Sequence, residues 1–120
     1  MKLEIGQFAR TKLGTIGKIE NNSFYIKLRL KKGNYIIIEE DDIVKASYNI
    51  IDILEKGDYV NGSKILGFEN EYIKEDDKFV PFGIITENCY LDNNSWLTEK
   101  DIKSIVTKEQ FESMKYEVGE

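Results

Sequence analysis

The chain is predicted to be mainly β: two tandem small β-barrels packed as one unit, with a short connector helix and a short C-terminal helix. Three observations predict it. Leu3-Glu4-Ile5-Gly6-Gln7-Phe8-Ala9 returns as Leu54-Glu55-Lys56-Gly57-Asp58-Tyr59-Val60. Asp42-Ile43-Val44-Lys45 is answered by Asp101-Ile102-Lys103-Ser104. Between these markers both halves carry short β-prone runs cut by turn signals, and such self-similarity means two copies of one supersecondary unit. The expected divisions are a first barrel over 1–47, a connector helix over 48–56, a second barrel over 57–106 and a C-terminal helix and tail over 107–120.

In the first copy, Gly6–Thr11 alternates around Phe8 and turns at Lys12-Leu13-Gly14. Thr15–Glu20 is the second strand, with Ile16 and Ile19 as core positions. Asn21-Asn22 signals a hairpin. Ser23–Lys31 then alternates, with Phe24, Ile26, Leu28 and Leu30 on one face and Tyr25, Lys27, Arg29 and Lys31 on the other. Gly33-Asn34 supplies the next tight turn. The apolar run Tyr35–Ile38 reads as a strand covered on both faces. Glu39–Asp42 reads as one acidic helical turn, and Ile43–Ala46 closes the sheet. In the connector, Tyr48, Ile51 and Leu54 lie at helical spacing.

The second copy restarts at Gly57–Asn61, and Asn61-Gly62 is the strongest hairpin signal in the chain. Ser63–Glu69 and Tyr72–Glu75 read as strands. Phe79–Glu87 contains Pro81 and Gly83, which fits only an edge or bulged strand. Asp92-Asn93-Asn94 marks a turn before Trp96-Leu97, Thr98–Asp101 repeats the acidic turn, and Ile102–Val106 closes the copy. Thr107 and Gln110 form a capping box for a helix from about Lys108 to Met114, with Phe111 and Met114 facing inward. Tyr116-Glu117-Val118 is a candidate terminal strand. The extra residues of the second copy fall in Asp76–Asn94.

Composition limits the chemistry. With 120 residues and no histidine, the chain lacks the commonest general base and metal ligand near neutral pH. One cysteine, Cys89, forms no internal disulfide or zinc set and reads as a packed thiol. No run approaches the ~20 apolar residues of a membrane helix. The opening residues lack the apolar core of a signal peptide, so a cytoplasmic location is expected. No catalytic residue, cofactor or metal ligand is expected. Gly14-Thr15-Ile16-Gly17-Lys18 has two residues between its glycines where a phosphate loop has four, and reads as a barrel turn.

Charge is segregated. Residues 1–48 hold nine Lys/Arg against six Asp/Glu, whereas 49–120 hold eight against sixteen. The candidate ligand-binding face is basic and aromatic: Tyr25, Lys27, Arg29 and Lys31, with Arg10 on a neighbouring strand. Guanidinium matches phosphate and tyrosine offers a stacking face. The same alternation equally describes the solvated side of a half-buried strand. Phe82 and Trp96, near the longer second hairpin, are candidates for stacking or partner contact, and equally for core packing.

Four strands, a helical turn and a brief closing strand is the order of SH3-like barrels. Gly6-Gln7-Phe8-Ala9-Arg10 through Gly14-Thr15-Ile16-Gly17-Lys18-Ile19 resembles the KOW-type variant. Separately, Gly6–Lys12 with Gly17-Lys18-Ile19, Asn49–Gly62 and Ile102–Glu112 carry a second likeness, by which the chain as a whole resembles small phage, prophage and mobile-element proteins of AT-rich Gram-positive bacteria. The resemblance implies a phage-type accessory protein and transfers no catalytic residue. The function expected first is counter-defence by sequestering a small anionic nucleotide signal, on the basic face or at the junction of the copies. A homo-oligomer is a possible form of such a protein. The alternatives are a protein-directed inhibitor of a host defence nuclease, using its acidic half to mimic nucleic acid, and an RNA- or DNA-binding KOW-like module.

Overall fold

A computed structural model describes residues 2–31, 33–91 and 96–114. The chain is mainly β, with two antiparallel sheets and two short helices. It divides between Ile53 and Leu54 into two compact units. No helix among the described residues is long and apolar enough to cross a membrane.

The first unit holds β1 (Phe8–Thr11), β2 (Ile16–Asn21), β3 (Ile26–Arg29), β4 (Tyr35–Ile38) and β5 (Ile43–Ser47), in the order β4-β3-β2-β1-β5. Gly14 and Gly33 adopt positive φ at two of its turns, a conformation that glycine enters without steric cost. One face closes on Ala9, Ile19, Ile26, Leu28 and Ile43, with Leu3, Ile36, Ile38 and Ala46 packed against them. Each buried isoleucine or leucine contributes about 1.5–3 kcal/mol relative to exposure. On β1 it is Ala9, and not Phe8, that lies in this core.

Three expectations change. Phe24 is fully exposed and outside β3, because the Asn21 side chain accepts hydrogen bonds from the Ser23 amide and hydroxyl, both 2.9 Å, and prolongs the turn. β4 is not covered on both faces: Ile36 and Ile38 face the core while Tyr35 and Ile37 are exposed. The connector is no α-helix but one 3-10 turn, Ile50–Ile53. Asn49 caps it, accepting from the Ile51 amide at 3.1 Å, and three β-branched isoleucines in four residues disfavour a longer helix.

The second unit holds β6 (Tyr59–Val60), β7 (Ser63–Ile73), β8 (Lys78–Thr86), α1 (Glu87–Leu91), β9 (Ile105–Val106) and α2 (Lys108–Met114). Its sheet order is β8-β7-β6-β9. Asn61 and Gly62 both have positive φ, as the Asn-Gly turn between β6 and β7 requires. The two strands expected over Ser63–Glu75 are one strand of 11 residues, which absorbs its irregularity as register shifts at Ile65/Gly67 and Glu69/Asn70. β8 is an edge strand, as Pro81 demands. Beyond it, among the described residues, Leu97 alone bridges, exchanging two backbone hydrogen bonds of 2.8 Å with Ile84. The closing strand is confined to Ile105 and Val106. α1 was not anticipated, since Glu87–Leu91 shows no helical period. The capping box of α2 is present: Gln110 accepts from the Thr107 amide at 3.1 Å, and Thr107 Oγ1 accepts from the Gln110 amide at 3.3 Å. Phe111 stacks on Tyr59 with centroids 4.8 Å apart. The Asp92-Asn93-Asn94 turn and the Tyr116–Val118 strand lie outside the described residues.

The matching sequence segments make matching local turns. Gly6 and Gly57 share φ of 95°, and their amides donate to Ile19 O and Ile65 O. The Glu4 amide donates to Gln7 Oε1, and the Glu55 amide to Asp58 Oδ2. Capping boxes at Glu39/Asp42 and Thr98/Asp101 open the 3-10 turns that precede β5 and β9. In both sheets the first strand pairs with the second and the last.

Candidate functional site

On the outer face of the first sheet, strand register places Phe8, Lys18, Arg29 and Tyr35 in one row across four strands. The alternation that buries Ala9, Ile19 and Leu28 turns these neighbours outward. The Lys18 ammonium lies 5.1 Å from the Phe8 ring centroid. Lys27 Nζ lies 4.4 Å and Arg29 Cζ 5.4 Å from the Tyr35 centroid. Rings and cations thus alternate at cation–π distances. Gly17 permits the close approach of β2 to β3 beneath this row: a Cβ there would lie 3.0 Å from both Arg29 O and Leu28 Cβ.

Glu20 occupies the centre of the charge. Arg29 Nε and Nη2 donate to its two oxygens at 2.8 and 3.0 Å, Arg29 Nη1 donates to Gly33 O at 2.6 Å, and Lys27 Nζ stands 3.7 Å from Oε2. The Arg29 hydrogen bonds hold the Glu20 carboxyl below its ordinary range, and Glu20 in turn raises the Arg29 guanidinium. The fork is therefore pre-oriented by a carboxylate, and an incoming phosphate must compete with that carboxylate for it. Lys18 has no carboxylate within ion-pair distance among the described residues.

The predicted site residues separate into three groups. Lys27 and Arg29 come together, with Tyr25 and Lys31 exposed on the chain either side of β3. Arg10 leaves the group: it is completely buried, on a strand separated from β3 by β2. Its Nη1 donates to Ile53 O at 3.1 Å, so its side chain ties the 3-10 turn Ile50–Ile53 to β1. Phe82 and Trp96 belong to the second unit, where they meet edge-to-face at 5.7 Å with the indole lying over Gly83. Phe8, Lys18, Glu20 and Tyr35 were missed. Cross-strand register brings them in beside β3, and residues spread over β1, β2 and β4 show no short-range pattern.

The second unit contains a cavity of about 170 Å³ lined by Val60, Asn61, Ser63, Thr86, Asn88, Cys89 and Leu97. Its polar groups bond to one another: the Asn88 amide to Ser63 Oγ at 3.0 Å, and Thr86 Oγ1 with Cys89 Sγ at 3.5 Å. Cys89 is buried there. No charged side chain among the described residues lines this cavity, and those residues offer an anion no cation. Comparisons with family profiles, curated proteins and solved structures find no match to this chain.

Proposed function

We propose that the chain is a non-catalytic binding protein that takes a nucleotide-bearing anion on the outer face of its first sheet. The observation that carries this reading is the row Phe8–Lys18–Arg29–Tyr35, which alternates flat rings with cations across adjacent strands. A base stacks on Tyr35 or Phe8 while Lys18 and the Arg29 fork take phosphate. The two sheets are read as tandem SH3-like small barrels. Their shared pairing scheme and the paired turns at Gly6/Gly57 and Asp42/Asp101 support that reading. With the resemblance to phage and mobile-element proteins, the role follows as sequestration of a small anionic nucleotide signal in the cytoplasm of a host bacterium.

Thermal-shift titration with mono-, di- and cyclic nucleotides and cyclic ADP-ribose isomers tests this. A ligand at a hundredfold its Kd adds about 2.7 kcal/mol of stability. Lys18→Glu abolishes the shift, while Glu20→Gln, which frees Arg29 and Lys27 for phosphate, tightens binding by roughly tenfold, or 1.4 kcal/mol. Absence of any shift in wild type and Glu20→Gln alike refutes the assignment.

A second reading, inhibition of a host nuclease, is favoured by the β7–β8 hairpin. Glu71, Glu75, Asp76 and Asp77 are exposed there and outnumber the exposed Lys74 and Lys78, beside the exposed rings of Tyr72 and Phe79. Such an arm suits a basic protein surface, and its complex dissociates with salt.

A further inference from the structure

The sheet edges are protected unequally. In the second sheet, β9 has two residues, and β8 carries Pro81 and is bridged by Leu97. In the first, β5 is bulged against β1, carries Lys45 and lies against the 3-10 turn Ile50–Ile53. Short length, proline, charge, bulges and covering segments are the devices that keep an edge from recruiting another strand. The other edge of the first sheet, β4, is Tyr35-Ile36-Ile37-Ile38, with no charge, no proline and no bulge against β3. No strand lies beyond it among the described residues. Tyr35 and Ile37 are 54% and 52% exposed.

Its backbone is poised to pair. Leu30 N donates to Asn34 O at 2.8 Å. In an antiparallel ladder, hydrogen-bonded pairs alternate with open ones. Leu28↔Ile36 and Ile26↔Ile38 therefore bond, and the N–H and C=O of Tyr35 and Ile37 point away from β3. The flanking charges are self-complementary: Lys31-Lys32 precede the strand, and Glu39-Glu40-Asp41-Asp42 follow it. An antiparallel neighbour of the same sequence thus sets basic against acidic at both ends.

We propose that β4 pairs antiparallel with β4 of a second copy of this chain, across a two-fold axis at Ile36. A two-fold axis normal to the sheet keeps every side chain on its own face, so the register must centre on a residue. Centring on Ile36 sets Tyr35 opposite Ile37 of the partner subunit, so the outward-pointing groups bond each other, and it brings the turn that holds Lys31 to the end where the acidic turn of the partner subunit begins. Centring on Ile37 instead sets Tyr35 against Glu39 of the partner subunit, outside the strand, and leaves Ile37 as the one outward residue paired within it. This pairing joins the two first sheets edge to edge and is independent of any ligand.

Sedimentation velocity and light scattering on the full chain, from micromolar to near-millimolar concentration, test it. The mass rises from 13.9 kDa toward twice that value, and Ile37→Lys holds it at 13.9 kDa. Lys31→Glu and Asp41→Lys each weaken association about threefold to tenfold, because two such pairs form per dimer, and the double variant restores it. A wild-type chain of 13.9 kDa at every concentration overturns the proposal, as does a dimer indifferent to Ile37→Lys. A double variant no tighter than the singles overturns the antiparallel arrangement.

Discussion

Arg10 and Gly83 show how one side chain, or the lack of one, organises its surroundings. Arg10 resembles Arg29 in sequence context, on an alternating strand of the basic half. It is nevertheless completely buried, because the 3-10 turn Ile50–Ile53 covers it and offers the Ile53 carbonyl as acceptor. A buried guanidinium costs stability unless it is hydrogen-bonded, so its role is to hold the connector and not to meet a ligand. Gly83 gives up its side chain to Trp96: a Cβ there would stand 2.7 Å from indole Cδ1 and 2.9 Å from Cγ. Gly83→Ala should therefore displace the ring and destabilise the protein by about 1–3 kcal/mol. Since Trp96 is the only tryptophan, urea unfolding followed by its fluorescence reads both the loss and the altered native spectrum. An unchanged midpoint and spectrum would show that the ring does not rest on Gly83.

Among the elements, the short ones depend most on side-chain caps. α2 has seven residues, too few to persist by propagation alone. Its capping box is reinforced by Asp58, which is completely buried: Oδ1 accepts from the Lys108 amide at 2.9 Å and Oδ2 from the Glu55 amide at 2.7 Å. The carboxylate thus binds the turn before β6 to the start of α2. Asp58→Asn keeps the shape but turns one acceptor into a donor facing an N–H, and should cost about 1–3 kcal/mol in chemical denaturation. Amide exchange at Lys108 and Glu55 should accelerate with it, and unaltered exchange would separate Asp58 from the cap. The capping box and the Asn61-Gly62 turn were legible as sequence patterns because each joins neighbours three residues apart or fewer. α1 was not, since five residues carry too little periodicity to register.

Charge links the whole molecule to pH. The chain carries a net −5, with its basic excess confined to the first half. Hydrogen bonds from Arg29 lower the Glu20 carboxyl from 4.5, and hydrogen bonds from the Thr98 amide and hydroxyl lower the Asp101 carboxyl from 3.8. Carboxyls depressed on folding contribute stability that is fully present above those ordinary values and is lost as pH falls through the folded ones. Stability should therefore decline on acidification below about pH 4.5, and the decline should be shallower in Glu20→Gln and Asp101→Asn. Thermal melts from pH 6 down to pH 3 check this, and an acid limb equally steep in both variants would contradict it. The β class, the matching segments around Gly6 and Gly57, the acidic helical turns and the α2 cap were readable from the chain itself, because each depends on local alternation, repetition or short-range hydrogen bonding. The burial of Arg10, the exposure of Phe24, the row from Phe8 to Tyr35 and the bare edge of β4 were decided only when the strands assembled. Which neighbours a residue meets across a sheet depends on register and on what covers each face, and both join positions far apart in the chain.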